Sequence, residues 1–307
     1  SQIGPNAVAW AAWLHTGLGV PLAKVATILR TGFGLTITPG GLAQALHRAA
    51  ARASPTYQAL VRAVQRSPVV APDETGWKVG GHLWWLWAFV TPTVTVYAIQ
   101  PGRGYAQATA ILGPDYAGVL VRDGWAPYRK LLHATHQTCL AHLLRRCHLL
   151  LETAARGAAR FPLAVRRLLL RAFALRDRRD AGTLTGHGLR VARGRLNAAT
   201  DRVLAGRILY PPNRRLRQHL QTERAALFTC LVRPEVEATN WQAEQAIRPA
   251  VVTRKVCGGN RTPYGAATQH VLASLLRTAT QQDRDPLALL IALQCSPQPI
   301  VADLSFR

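Results

Sequence analysis

The chain has 307 residues, of which 49% are hydrophobic and 17% charged; this excludes a disordered chain and suits one large domain or two modest ones. Lys and Arg number 38 against 15 Asp and Glu, a formal net charge of +23. A compact chain with that imbalance repels itself and attracts polyanions, with nucleic acid as the leading partner and an anionic membrane surface second.

Only four of the basic residues are lysines. A GC-rich coding bias explains Arg over Lys, but it does not explain the scarcity of acids. The five cysteines (Cys139, Cys147, Cys230, Cys257 and Cys295) are odd in number and include no CxxC pair, which predicts a reduced, cytosolic protein. The opening SQIGPNAVAW lacks a basic region followed by an apolar run, so no secretory signal is expected. No run of 18 uncharged apolar residues predicts a membrane span, and the absence of methionine suggests a processed or trimmed chain.

Residues 1–67 read as a helical region. VPLAKVATIL carries a helical apolar stripe, GFGLTITPGG is a turn-rich break, and GLAQALHRAAARA resumes as an amphipathic helix. Two helices around a short Gly-containing turn resemble a helix-turn-helix, with a plain helical packing unit as the alternative. The period then changes. SPVVAPDETGW begins with a short apolar run. HLWWLWAFV and VTVYAI, rich in aromatic and β-branched residues and separated by TPT, predict an antiparallel hairpin. GYAQATAILG reads as a short helix, GVLVRDGW as a strand ending in an Asp, and THQTCLAHLLRRCHLLLE as a strand passing into a helix. Residues 149–236 lose the strand signal and carry 18 Arg against six acids, which predicts an inserted, all-helical subdomain with a basic face. VEATNWQAEQAIRP reads as a helix stopped by Pro249, and GAATQHVLASLLRTATQQ as a closing helix before a last one after Pro286. The expected fold class is therefore α/β: a mixed sheet with flanking helices, built from 68–148 and 237–307, in an order that matches the ribonuclease H-like fold.

With so few acids, those at strand ends stand out. Asp73 follows PVVAP and Asp123 follows GVLVR. On neighbouring strands of a mixed sheet, two such carboxylates repel unless a cation bridges them, and hard oxygen ligands favour Mg²⁺ or Mn²⁺. Glu74, next in an extended strand, points to the other face and is left out. A third acid would complete a two-metal site; Glu244, expected mid-helix with Asn240 and Arg248 on its face, is the candidate, though a lone Glu on a helix is normally solvated and the helix alone does not single it out.

Four blocks in order, PVVAPDETGWKVGGHLWWLWAFVT, GVLVRDGWAPYRKL, HQTCLAHLLRRC and NWQAEQAIRPAVVTRKVCGGNRT, resemble the insertion sequence sixty-six (IS66) family of bacterial transposases, from about Val20 to the C-terminus. The resemblance implies a DDE transposase with a ribonuclease H-like core, whose catalytic and metal-binding acids are Asp73, Asp123 and Glu244, spaced by 50 and 121 residues. It implies two divalent cations, Mg²⁺ or Mn²⁺, clamping one phosphodiester during cleavage and 3′-end strand transfer. The implied partners are double-stranded DNA (element ends and target) and further copies of the chain in a homodimer or larger oligomer, in the bacterial cytoplasm at the nucleoid; no membrane role is expected. Such proteins usually carry an N-terminal leader with a coiled region and a small zinc-binding module, and this sequence starts after the place where those would lie. Thr239 stands where an Asn pair often precedes the Ala-Glu.

Arg248, Arg254, Lys255 and Arg261 are candidates for DNA phosphate contacts, with a solvated basic stretch as the alternative. Cys139 and His142 form a C-x-x-H at the strand-to-helix junction, where several DDE families carry similar pairs, and are grouped with the DNA-side candidates. Zinc is not expected there, because a strand and a helix start scatter the side chains; a buried Cys with core or DNA-side histidines is the plainer reading. Trp77, Trp84, Trp85, Trp87 and Trp125 read as sheet or core residues; Trp125 and Trp241 stand beside acid motifs, where stacking on an unpaired base is the alternative. GGNR lacks the spacing of a phosphate-binding loop. The competing functions are a ribonuclease H-like nuclease without strand transfer and a catalytically inactive DNA-binding descendant of a transposase.

Overall fold

The computed structural model describes residues 3–154, 156–298 and 300–302. In chain order the elements are α1 (Pro5–Ala12), α2 (Leu22–Phe33), α3 (Pro39–Arg66), β1 (Val69–Val79), β2 (His82–Val90), β3 (Thr95–Gln100), α4 (Tyr105–Leu112), β4 (Val119–Arg122), β5 (Thr135–Thr138), α5 (Leu140–Thr153), α6 (Arg160–Asp180), α7 (Gly186–Ala205), α8 (Pro211–Thr222), α9 (Trp241–Cys257), α10 (Pro263–Gln281) and α11 (Pro286–Cys295). The chain is thus α/β, with strands paired in both senses and helices flanking them. It divides into two compact units, 1–116 with 241–307, and 117–240. The division does not follow the expected insertion bounds of 149 and 236: β4, β5 and α5 group with the basic helices.

In the first unit, β1, β2 and β3 form an antiparallel meander. Asp73 pairs with Ala88, and Trp85 with Gln100. The alternation of HLWWLWAFV buries Trp87 and Phe89, whose rings stack with centroids 6.0 Å apart. The strand does not end at Asp73 as expected. It continues through ETGWKV because a Gly80–Gly81 turn folds β2 back along that whole segment. N-terminal to the sheet, Thr38 caps α3 by accepting the Gly41 N–H at 3.0 Å. Pro39 then opens the helix at a position that needs no N–H donor. The helix runs 28 residues, well past the segment expected from its apolar pattern, and buries a face from Leu42 to Val64.

The outer edge of β3 is covered by side chains of α10. The backbone N–H groups of Thr95, Tyr97 and Ile99 donate to Thr278 Oγ1 (3.1 Å), Ser274 Oγ (2.8 Å) and His270 Nδ1 (3.4 Å). Four helical residues rise about 6 Å and two strand residues about 6.8 Å, so the i, i+4, i+8 polar ladder of the helix matches alternate strand residues. An edge that would otherwise offer free donors is thereby closed within the chain.

In the second unit, β4 and β5 pair in parallel, Val119 opposite Thr135 and Arg122 opposite Thr138. The segment expected to be helical is helical throughout its described elements. On α6, Val165, Leu169, Ala172 and Leu175 recur at helical spacing and face Leu196, Thr200 and Leu204 of α7 and Leu216 and Leu220 of α8, building a small core. Pro211 and Pro212 start α8, where their missing donors cost nothing. Among the described residues, no helix is long and apolar enough to cross a membrane.

Candidate active site

Asp73 is the fifth residue of β1, half-buried, with its Oδ1 accepting the Glu74 N–H at 2.9 Å. Glu74 turns away from it into an ion pair with Arg103, 2.7 Å long, with the carboxylate side chain only 1% exposed.

Glu244 lies in the first turn of α9, not mid-helix, because the helix begins at Trp241 and Asn240 stays outside it. Nor does Pro249 end the helix, which continues to Cys257. Proline removes one helical hydrogen bond, but the second half of α9 is anchored elsewhere: Thr253 is buried, and the Arg254 guanidinium donates to Gly76 O and, at 3.3 Å, to Thr75 Oγ1 of β1. That anchoring draws Arg254 onto the strand that carries Asp73. Arg248, Lys255 and Arg261 are exposed, so their side chains are presented to solvent. Trp241 is 44% exposed one turn before Glu244. In contrast, Trp77 and Trp87 are core residues, as expected.

Asp123 directly follows β4 in the second unit and is half-buried. Its Oδ1 accepts the Trp125 N–H at 2.8 Å, the local turn that an Asp side chain commonly makes. Two guanidinium groups grip the backbone here. Arg122 Nη1 donates to Asp123 O at 2.9 Å, and Arg129 Nη1 donates to Gly124 O at 3.2 Å. Both arginines bind one carboxylate, Glu223: Arg122 Nη2 at 2.8 Å and Arg129 Nη1 at 3.0 Å. The Arg122 and Glu223 side chains are 2% and 0% exposed. Burial pushes the Glu223 carboxyl upward, but the guanidinium groups of Arg122 and Arg129 prevail and hold it below the usual range. Burial, aided by the Arg122 charge, drives His136 down to about 4, so it is a neutral ring at ordinary pH; it lies 3.2 Å from Arg122 Nε through Nδ1. The His219 ring fills the space where residue 124 would carry a Cβ, so a larger residue there would have to displace the ring. Arg122, Arg129, His219 and Glu223 were not among the sequence candidates. An arginine closing an apolar VLVR strand was the one available signal; nothing local distinguishes Glu223 from the other acids of 149–236.

Cys139 precedes α5 and is 1% exposed, its Sγ accepting the Asn240 N–H at 3.5 Å. A buried thiol presents nothing to a phosphate, so Cys139 is removed from the DNA-contact set and fits the alternative of a buried core cysteine. His142 is the third residue of α5, in its first turn. Among the described residues, no three His, Cys, Asp or Glu side chains are already grouped to hold a metal ion.

Asp73 and Glu244 belong to the first unit and Asp123 to the second. All three lie within residues 1–268, which match the family model described as "Transposase IS66 family". The chain belongs to this family. No curated protein matches the sequence. Membership makes the chain one of a transposase family and implies DNA as the substrate, in keeping with a second unit in which 23 basic residues face eight acids.

Proposed function

We propose that the chain is a DDE transposase with a ribonuclease H-like core, which cleaves phosphodiester bonds at insertion-sequence ends and joins the freed 3′-hydroxyl to target DNA. The observation that carries this reading is the family match, which spans Asp73, Asp123 and Glu244 together. These acids are half-exposed oxygen donors, the hard ligand type that Mg²⁺ and Mn²⁺ take, so the donor set suits a divalent pair. When bound, such ions acidify the attacking hydroxyl and stabilise the leaving oxygen. The chain's own contribution is to bind, hold and screen. Asp73, Asp123 and Glu244 supply fixed carboxylates. The exposed Arg248, Lys255 and Arg261 neutralise phosphates next to them, while Arg254 steadies β1. His142 and the helix-turn-helix-like pair α2 and α3 are further candidates for DNA contact. The enzyme would act at the bacterial nucleoid, as a dimer or larger assembly on paired ends.

The test is a strand-transfer assay with labelled 3′-hydroxyl element ends in Mn²⁺, Mg²⁺ or EDTA, comparing wild type with Asp123→Asn. Metal-dependent joining that is lost in the variant is expected. Nicking without joining would make the chain a nuclease, and salt-sensitive DNA binding with neither activity would make it a DNA-binding descendant.

A further inference from the structure

We infer that Glu223 is a positioning residue for Asp123, acting from the basic helical segment through Arg122 and Arg129. The inference rests on the proposed catalytic role of Asp123 and extends it to a residue 100 positions further along the chain.

The geometry is specific. Asp123 and Gly124 turn their carbonyls toward two different arginines, and both arginines converge on the same buried carboxylate. With the Trp125 N–H on the Asp123 side chain, the two peptide planes that follow the acid, 123–124 and 124–125, are fixed from the arginine side and its carboxylate from the turn side. Thr229 and Cys230 extend the same link: Thr229 Oγ1 donates to His136 O at 2.6 Å and the Cys230 N–H to Gln137 Oε1 at 2.8 Å, binding the residues just after Glu223 to β5. The helical segment therefore returns to the two strands that flank Asp123.

A merely structural plug would not need charge. Taking a carboxylate and a guanidinium out of water is costly, and apolar side chains of similar volume commonly serve stability equally well. What an apolar trio lacks is the ability to orient carbonyl oxygens. Among the described ion pairs, only Arg122–Glu223 has both side chains at 2% exposure or less, and it stands against the residue that carries the candidate acid.

The full chain in EDTA is compared with Glu223→Gln and with the double variant Arg122→Met/Glu223→Leu, by hydrogen–deuterium exchange of peptides covering 122–131 and by strand transfer after metal is added. The double variant removes both buried charges together, so it keeps the test open if the single variant fails to fold. Faster exchange is expected in 122–131 only, with α6, α7 and α8 as in wild type. Joining is expected to fall on the order of a hundredfold, as a misplacement of roughly 1 Å can cause. Wild-type exchange in both variants, or acceleration spread evenly over 117–240, would overturn the inference while leaving the role of Asp123 intact. Joining that survives Asp123→Asn would instead overturn the catalytic reading, and with it any part of Glu223 in catalysis.

Discussion

Trp77 donates its indole N–H to Asn260 Oδ1 at 2.8 Å, tying the last buried aromatic of β1 to the turn that follows α9. The same Asn260 donates its backbone N–H to Lys78 O and accepts the Gly80 N–H, each at 2.9 Å. The strand that carries Asp73 and the helix that carries Glu244 are thus joined at their far ends. The joint needs a glycine beside it: Gly259 has φ 101° and packs on the Lys78 carbonyl with no room for a Cβ. Asn260→Ala leaves the indole donor buried and unmatched, a loss of about 1–3 kcal/mol. Gly259→Ala adds a left-handed backbone and a clash and is expected to cost more. Urea unfolding of the two variants checks the order; equal stability of Gly259→Ala and wild type would remove the joint from the account.

Acid should weaken the protein through His270. Burial lowers its pKa to about 4, and its Nδ1 accepts the Ile99 N–H, which a protonated ring cannot do. The unfolded chain binds the proton near pH 6.5, so between about 6.5 and 4 it carries more protons than the fold does and stability falls as pH drops. Between pH 7.5 and 4.5 the loss is roughly 2–3 kcal/mol. Denaturant unfolding at the two pH values should show a smaller loss in His270→Gln; identical losses would contradict the assignment.

Arg171 and Arg178 of α6 and His187 and Arg195 of α7 line one exposed groove. None of the three arginines is paired with a carboxylate among the described residues, unlike Arg176 and Arg179 on the same helix. Replacing Arg171, Arg178 and Arg195 by Ala should weaken DNA binding and flatten the plot of log affinity against log salt by about one unit for each phosphate no longer neutralised. The melting temperature should barely move. An unchanged slope would leave this face merely solvated.

Trp241 is exposed beside Glu244, so Trp241→Ala should leave folding intact. If the indole stacks on an unpaired base at a cut end, the variant loses about 1–3 kcal/mol of affinity for ends with an unpaired base and little for uninterrupted duplex. Fluorescence anisotropy with both DNAs reads the difference; equal losses would rule out stacking.

The order of elements was legible because the period of the apolar residues changes where the structure changes, from the stripe of VPLAKVATIL to the alternation of HLWWLWAFV and back to helix. Helix ends were less legible. Pro249 looked like a stop, but Arg254 reaches strand β1 and holds the helix beyond it, a link between residues 179 positions apart that no local pattern carries. Asp73 and Asp123 could be singled out because acids are scarce and both follow apolar runs. Glu223 could not, since its meaning lies in arginines roughly a hundred positions upstream. Cys139 was misgrouped because a C-x-x-H spacing says nothing about burial.

The covering of β3 by α10 sets a schedule for synthesis. The strand leaves the ribosome before its cover, since Ser274 and Thr278 follow only after some 170 further residues. Until then the nascent chain carries a sticky, half-finished sheet, open to pairing with its neighbours on the same messenger. A message cut short before residue 263 would yield a product prone to aggregate, with the second unit complete and the first unable to close. Release of a well-behaved protein is thus tied to translation through α10.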